Sequence, residues 1–204
     1  MIDILADLGG LIVSPRQTFK IIFAEKRGLL QPALILLVMM TVLSLVTIAN
    51  VAIRFMGFVS PFMGGFGGVL SAFLGLISVA GMVIGGAILW LILGLLTHVF
   101  AKVFGGKGDV EKAFIVLGYA TVSFFIYVIL GFIGLFTNFL ISIGLLTVGL
   151  LISVILWIIV ASVGVSEAYG ISLGRGLASV ILPLIVLSLI PFLMTLPFMF
   201  MTWW

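Results

Sequence analysis

Residues 139–164 read FLISIGLLTVGLLISVILWIIVASVG and contain no charged residue. A helix needs about 20 consecutive apolar residues to cross the hydrocarbon core of a bilayer, so this stretch predicts a transmembrane helix. Four further stretches meet the same length, and together they predict a multi-pass membrane protein with five spans. The other predicted spans lie near residues 31–53, 70–99, 113–136 and 177–200.

The composition excludes an ordinary soluble domain. Hydrophobic residues make up 64% of the chain and charged residues 7%, against roughly 45–50% and 25% in soluble domains. The apolar runs lack the ten-residue alternation that is typical of membrane β-barrels. With 204 residues and no linker-like segment, residues 1–204 are predicted to form one all-α transmembrane helical bundle.

Lysine and arginine are distributed unevenly between the loops. Only Arg54 lies in the loops on one predicted side, and the other eight of the nine cations lie on the opposite side. Positive loops stay in the cytoplasm, which predicts a cell-membrane protein with a cytoplasmic amino terminus and an outside carboxyl terminus. The eight cations are Arg16, Lys20, Lys26, Arg27, Lys102, Lys107, Lys112 and Arg175.

Residues 14–28 are predicted to form an amphipathic helix at the membrane interface. Ser14 and Gln17 have the spacing of a capping box. Phe19 and Ile22 fall on one face, and the cations of the segment can reach anionic headgroups. The alternative interpretation is a solvated helix that leads into the first span.

Charge and cysteine content limit the partners and cofactors. The net charge of +3 comes from loop residues, which indicates anionic lipid headgroups of the bilayer and not nucleic acid. The absence of cysteine excludes disulfides and thiolate chemistry. His98 and Lys102 share a helix face, but the spans supply no further ligand, so neither a metal nor another cofactor is predicted.

A catalytic role is also disfavoured. Residues 170–174 match the pattern G-x-S-x-G around Ser172. A nucleophile elbow needs a strand–turn–helix context and a histidine base, whereas the only histidine, His98, belongs to a distant span. The sequence therefore predicts a protein that is not an enzyme.

Glu167 and Arg175 flank the turn after the fourth span, with Tyr169 and Ser172 between them. We expect an ion pair between Glu167 and Arg175 that holds this turn, and the alternative is a site that binds a substrate or partner. The loop before the third span adds two more candidate contacts. They are Lys107 and Lys112.

Polar residues inside the spans allow two interpretations. Asn50, Tyr119 and Tyr127 are explained by hydrogen bonds between helices, and the alternative is a polar translocation path. No charged residue lies at mid-depth, which disfavours a proton-coupled carrier. Gly81 and Gly85 allow close helix contact within the chain or in a homo-oligomer.

An ordered set of short motifs resembles the Yip family of five-span membrane proteins in its short prokaryotic form. The resemblance implies a helical bundle with a cytoplasmic amino terminus and, in eukaryotic members, binding of prenylated Rab-type GTPases and a role in vesicle traffic. Two features differ, because no D-L-x-G-P motif precedes the first span and Ser123 stands where the prokaryotic pattern often has proline. The motifs are Ser14–Phe19, Gly105–Asp109, Gly118–Ala120, Trp157, Gly164 and Gly170–Ser172 followed by Arg175.

These observations predict a non-enzymatic protein that organises membrane or recruits an unknown protein partner. Its cytoplasmic loops, Lys107–Lys112 and Glu167–Arg175, would be the working surface. The alternative is a transporter or channel for a small solute, an ion or a lipid, lined by Asn50, Tyr119 and Tyr127.

Overall fold

The structure is a computed structural model that describes the backbone of residues 2–201 and the side chains of residues 7–51, 66, 68–70 and 72–189. All regular secondary structure among these residues is helical, as predicted. The third and fourth α-helices are separated by a loop, and a 3-10 turn at Thr121–Phe124 separates the fourth from the fifth. The α-helices are α1 (Ile2–Val13), α2 (Pro15–Ala24), α3 (Leu30–Val103), α4 (Val110–Ala120), α5 (Phe125–Gly134), α6 (Phe139–Tyr169) and α7 (Leu173–Met201).

Four described helical segments are long and apolar enough to cross a membrane, and they coincide with the first four predicted spans. The predicted helical membrane bundle is therefore confirmed. The fifth predicted span lies in α7, whose described apolar part, Leu173–Leu189, is shorter than the other four. The four segments are Leu30–Val51, Gly68–Val103, Val110–Gly134 and Phe139–Tyr169.

Although the helical backbone of α3 runs without a break, its two ends lie side by side as antiparallel spans, which we call the first arm (Leu30–Val51) and the second arm (Gly68–Val103). A β-carbon added to Gly75 would lie 3.5 Å from Ile48 Cγ2, and one added to Gly86 would lie 2.9 Å from Met40 Sδ. From Gly75 to Gly86 along the second arm, the contacted residue of the first arm changes from Ile48 to Met40. The two arms therefore run in opposite directions. The Arg54 side chain, in the segment between the arms, lies outside the described residues.

The outer face of the second arm carries the two glycines that predict close helix packing. A β-carbon at Gly81 or at Gly85 would meet no described atom within 4 Å. The close contact that these glycines allow is therefore not made within the described part of the chain. Homo-oligomer formation through this face stays a prediction.

The third predicted span is one crossing but not one continuous α-helix. The 3-10 turn at Thr121–Phe124 separates α4 from α5. Thr121 Oγ1 donates to the Gly118 carbonyl at 2.6 Å, a local side-chain bond that competes with regular helical hydrogen bonding. The Ser123 hydroxyl beside it is buried and has no hydrogen-bond partner among the described residues.

The amino-terminal segment differs from its prediction in four respects. An additional helix, α1, precedes it, and α2 ends at Ala24 and not at residue 28. The predicted capping box is wrong, because the Ser14 side chain makes no cap bond and instead lies 3.5 Å from the Gly10 carbonyl. Phe19 and Ile22 are fully buried in the protein core, so the face that predicted insertion among headgroups packs on the bundle.

Most residues of the buried hydrophobic core lie toward the end of the bundle that carries the charged loops. Helix α2 rests there on α6, and Tyr119 and Tyr169 are almost fully buried. We call this end the basic end and define it by α1, α2, the loop of residues 104–109 and the turn of residues 170–172. The eight cations that predict a cytoplasmic side belong to this end or to the helix turns beside it.

Candidate functional site

Tyr169 joins the two loops that the sequence singled out. Its carbonyl accepts a hydrogen bond from the Lys107 amide at 3.0 Å. Its hydroxyl donates to the Asp109 carbonyl at 3.0 Å and lies 2.7 Å from His98 Nδ1. Tyr169 therefore connects the end of α6, the loop of residues 104–109 and the second arm. We call this meeting point the Tyr169 junction.

The Tyr169 hydroxyl also determines which nitrogen of His98 carries the proton. A phenol has one hydrogen to donate, and here it goes to the Asp109 carbonyl. His98 Nδ1 must therefore be the donor in its contact with Tyr169. His98 thus makes a contact inside the protein, whereas Lys102 on the same helix is exposed.

The glycines of the loop of residues 104–109 are required by the ring of Tyr169. A β-carbon at Gly106 would lie 2.8 Å from Tyr169 Cδ1, and one at Gly108 would lie 2.9 Å from the same atom. Gly105 has φ +84°, a left-handed conformation that favours glycine. The G-G-K-G-D segment is therefore a turn packed on an aromatic ring, and the exposed Lys107 side chain points away from that contact.

The predicted ion pair between Glu167 and Arg175 is wrong. Glu167 pairs with Arg16 of α2, and Arg175 Nη1 lies 3.4 Å from the Phe104 carbonyl. Gly170 ends α6 in the left-handed conformation and reverses the chain. Arg175 therefore faces the loop of residues 104–109, while Glu167 faces α2.

The Arg16–Glu167 pair lies at the edge of a cleft between α2, α6 and α7. The cleft has a volume of about 310 Å³. Arg16 is 71% exposed and Glu167 is 14% exposed, so the carboxylate is held in place and the guanidinium is largely in solvent. The lining residues are Ser14, Pro15, Arg16, Gln17, Val163, Ser166, Glu167 and Leu173.

A second charged cluster, which the sequence did not predict, lies inside the basic end. Arg27 pairs with Asp7 of α1 and, at 2.6 Å, with Glu25. Burial lowers the pKa of Arg27, but the hydrogen bonds to Asp7 and Glu25 raise it by more. The pKa of Arg27 is therefore above its ordinary value. Arg27 was predicted to reach headgroups, and it instead ties α1 to the start of α3.

The remaining loop candidates divide into two groups. Lys107, Ser172 and Arg175 are exposed around the Tyr169 junction. The Lys112 ammonium instead lies 5.9 Å from the centroid of the Phe23 ring, a cation–π contact that holds α2. Ser172 lies in a turn between two helices, which is not the strand–turn–helix setting of a nucleophile elbow.

Asn50 joins three helices near the opposite end of the bundle. Its Nδ2 donates to the carbonyls of Val46 and Gly131, each at 2.9 Å. Its Oδ1 accepts from Ser142 Oγ at 2.8 Å. The amide is thus fully occupied in contacts between helices.

Tyr119 and Tyr127 make contacts of the same kind at two different places. The Tyr119 hydroxyl donates to Gln31 Oε1 at 2.9 Å. The Tyr127 hydroxyl lies 2.9 Å from Thr47 Oγ1. Both are hydrogen bonds between helices, as the first interpretation of these residues expected.

The comparisons with known proteins identify one family. Residues 9–195, nearly the whole chain, match the Yip1 domain. No curated protein and no solved structure shows a significant match.

Proposed function

Because this chain belongs to the Yip1 domain family, we propose that it is a non-enzymatic multi-pass membrane protein that organises the membrane by recruiting a protein partner at its basic end. The recruiting surface consists of the exposed side chains around the Tyr169 junction. They are Lys107, Ser172 and Arg175.

The observation that carries this proposal is the set of hydrogen bonds made by Tyr169. Its carbonyl and hydroxyl fix the loop of residues 104–109 to the end of α6. A surface that is ordered before binding loses less conformational entropy when a partner arrives. The two exposed cations Lys107 and Arg175 thus lie on a part of the backbone that hydrogen bonds hold in place.

The distribution of charge supports the orientation that we propose. The eight cations belong to the basic end or to the helix turns beside it, and positive loops are retained in the cytoplasm. We therefore place the basic end and the amino terminus in the cytoplasm and the protein in the cell membrane. Anionic headgroups would then surround the recruiting surface.

The test is crosslinking and co-purification of the tagged protein from its native membranes. The variant Lys107→Gln/Arg175→Gln removes both exposed cations and spares Glu167 and Lys112, which hold α2. The control is Arg54→Gln, because Arg54 is the one cation predicted on the opposite side. We expect a partner that the parent and the control recover and that the double variant loses.

Recovery of the same partners by the double variant would contradict this proposal. If neither the parent nor any variant recovers a partner, the alternative of a transporter or channel gains support. Flux through liposomes that hold the parent protein, compared with Asn50→Ala and Tyr127→Phe, would then test that alternative.

A further inference from the structure

A cavity of about 230 Å³ lies among the spans, between both arms of α3, α4 with the 3-10 turn, α6 and α7. Leu36, Leu93, Leu117 and Trp157 form much of its wall, and each of these side chains is less than a tenth exposed. The cavity is thus lined by five parts of the bundle, is open along part of its surface, and is not a groove on one helix.

Two of the three polar side chains in the wall of this cavity are hydrogen-bonded within the protein, and no hydrogen bond of the third, Trp157, is seen among the described residues. Trp90 Nε1 donates to the Phe114 carbonyl at 3.1 Å, and Thr121 Oγ1 donates to the Gly118 carbonyl at 2.6 Å. An apolar cavity of roughly 150 Å³ stays free of water and binds small hydrocarbons. This larger cavity of about 230 Å³ is therefore suited to a hydrocarbon and not to a polar solute.

The cavity reaches into the middle of the membrane. Leu36 lies six residues after Leu30, whereas Leu89, another residue of the wall, lies fourteen residues before Val103. At about 1.5 Å per residue, the cavity extends from roughly 9 Å to roughly 21 Å from the basic end. It therefore spans the midplane of a hydrocarbon core of about 30 Å.

One residue of the wall also faces the surrounding membrane. Leu89 lines the cavity and is 48% exposed on the outer surface of the second arm. Leu89 thus forms part of the boundary between this partly open cavity and the surrounding lipid. Gly86, one turn away on the same arm, also lines the cavity, and an added β-carbon there would lie 2.9 Å from Met40 Sδ.

We propose that this cavity binds the end of one acyl chain of a membrane lipid. The chain enters beside Leu89 and contacts Trp157 inside the bundle. Such a lipid differs from the lipids around the protein, because it touches α6 and α7 behind the second arm. The proposal does not depend on the recruiting surface around Tyr169.

Fluorescence quenching by brominated lipid tests this site. Trp157 is only 8% exposed, so lipid on the outer surface has little access to it. The full chain, with Trp90, Trp203 and Trp204 replaced by Phe, is reconstituted in phosphatidylcholine vesicles with or without dibrominated acyl chains. We expect the brominated chains to quench Trp157 strongly.

Two neighbouring residues of α6 provide a filling variant and its control. Val154 lines the cavity, whereas Ile155 is 57% exposed on the outer surface. Val154→Phe fills the cavity and is expected to return the fluorescence to its value in unbrominated lipid, and Ile155→Phe is expected to leave the quenching unchanged. Should Val154→Phe fail to fold, Leu93→Phe fills the cavity from the opposite wall.

Two results would overturn the proposal. The first is the absence of quenching at Trp157 in vesicles where a Trp placed at position 155 is quenched. The second is equal quenching in the parent and in a folded filling variant, because the bromine would then reach Trp157 by another route.

Discussion

The ring of Phe19 occupies the space that the absent side chain of Gly164 leaves on α6. A β-carbon at Gly164 would lie 2.7 Å from Phe19 Cε2 and 2.6 Å from Val116 Cγ1. The two residues are far apart in the sequence, and their contact seats α2 on the bundle. The cleft beside Arg16 and the ion pair with Glu167 both depend on α2 being seated there.

Replacement of Gly164 by Ala is expected to displace α2. Overpacking of a well-packed core destabilises a protein by about 1–3 kcal/mol, so we expect a lower thermal transition in detergent. Limited proteolysis within α2 should also become faster. Gly144 lies on the same helix with no atom within 4 Å of an added β-carbon. Gly144→Ala is therefore the control, and equal transitions for the two variants would refute the seating of Phe19.

Removal of the Ser142 hydroxyl should weaken the contacts that Asn50 makes between helices. Ser142→Ala leaves Asn50 Oδ1 without its donor, and a hydrogen bond between membrane helices contributes on the order of 0.6 kcal/mol. The Ser123 hydroxyl is buried and has no partner in the described part of the chain, so Ser123→Ala is expected to leave stability unchanged or to raise it. Thermal unfolding in matched micelles compares the two variants. A larger loss for Ser123→Ala would show that its hydroxyl has a partner.

Tyr169→Phe should loosen the loop of residues 104–109 and leave the fold intact. The substitution keeps the ring against Gly106 and Gly108 but removes the hydroxyl contacts with His98 and Asp109. We expect faster hydrogen exchange at the amides of this loop and weaker recovery of the partner. Tyr127→Phe removes a hydroxyl in another part of the bundle and is the control. Unchanged exchange in the loop of the Tyr169 variant would contradict the proposed role of this residue.

The two ion pairs of the amino-terminal segment should differ in strength. Arg27→Gln leaves Asp7 largely buried without its partner, and we expect a loss on the order of 2–3 kcal/mol, below the 3–5 kcal/mol of a fully buried pair. Arg16 is 71% exposed, and Glu167 lies beside an open cleft from which water can replace the lost guanidinium, so Arg16→Gln should cost about 0–1 kcal/mol. Chemical or thermal unfolding of both variants measures the difference, and equal losses would refute it.

The raised pKa of Arg27 predicts how this first pair responds to pH. A raised pKa means that the stabilisation is fully present below the ordinary arginine pKa and is lost only when the pH rises through the still higher value in the folded protein. That value is above any pH used to study membrane proteins. The difference in stability between the parent and Arg27→Gln should therefore stay constant from neutral pH to mildly alkaline pH.

The features that depend only on the local sequence were predictable. Four spans were located within a few residues, because the length of an apolar run decides whether a helix can cross a bilayer. The start of α6 is local in the same way, because Asn138 is a residue type that caps helices and its Oδ1 accepts from the Ile141 amide at 3.0 Å. The contrast between charged and uncharged loops is likewise visible in the sequence without any knowledge of the packing.

The partners of the charged and aromatic side chains were decided only by the tertiary structure. Glu167 pairs with Arg16 and not with the nearby Arg175, because Gly170 reverses the chain and α2 comes to lie against α6. Tyr169 contacts His98 and Asp109 because three helix ends meet at one point. Such contacts follow from how whole helices pack, and no local pattern records them. The sequence by itself thus determined the membrane helices and the charged end, and packing decided which residues form the junction, the cleft and the apolar cavity.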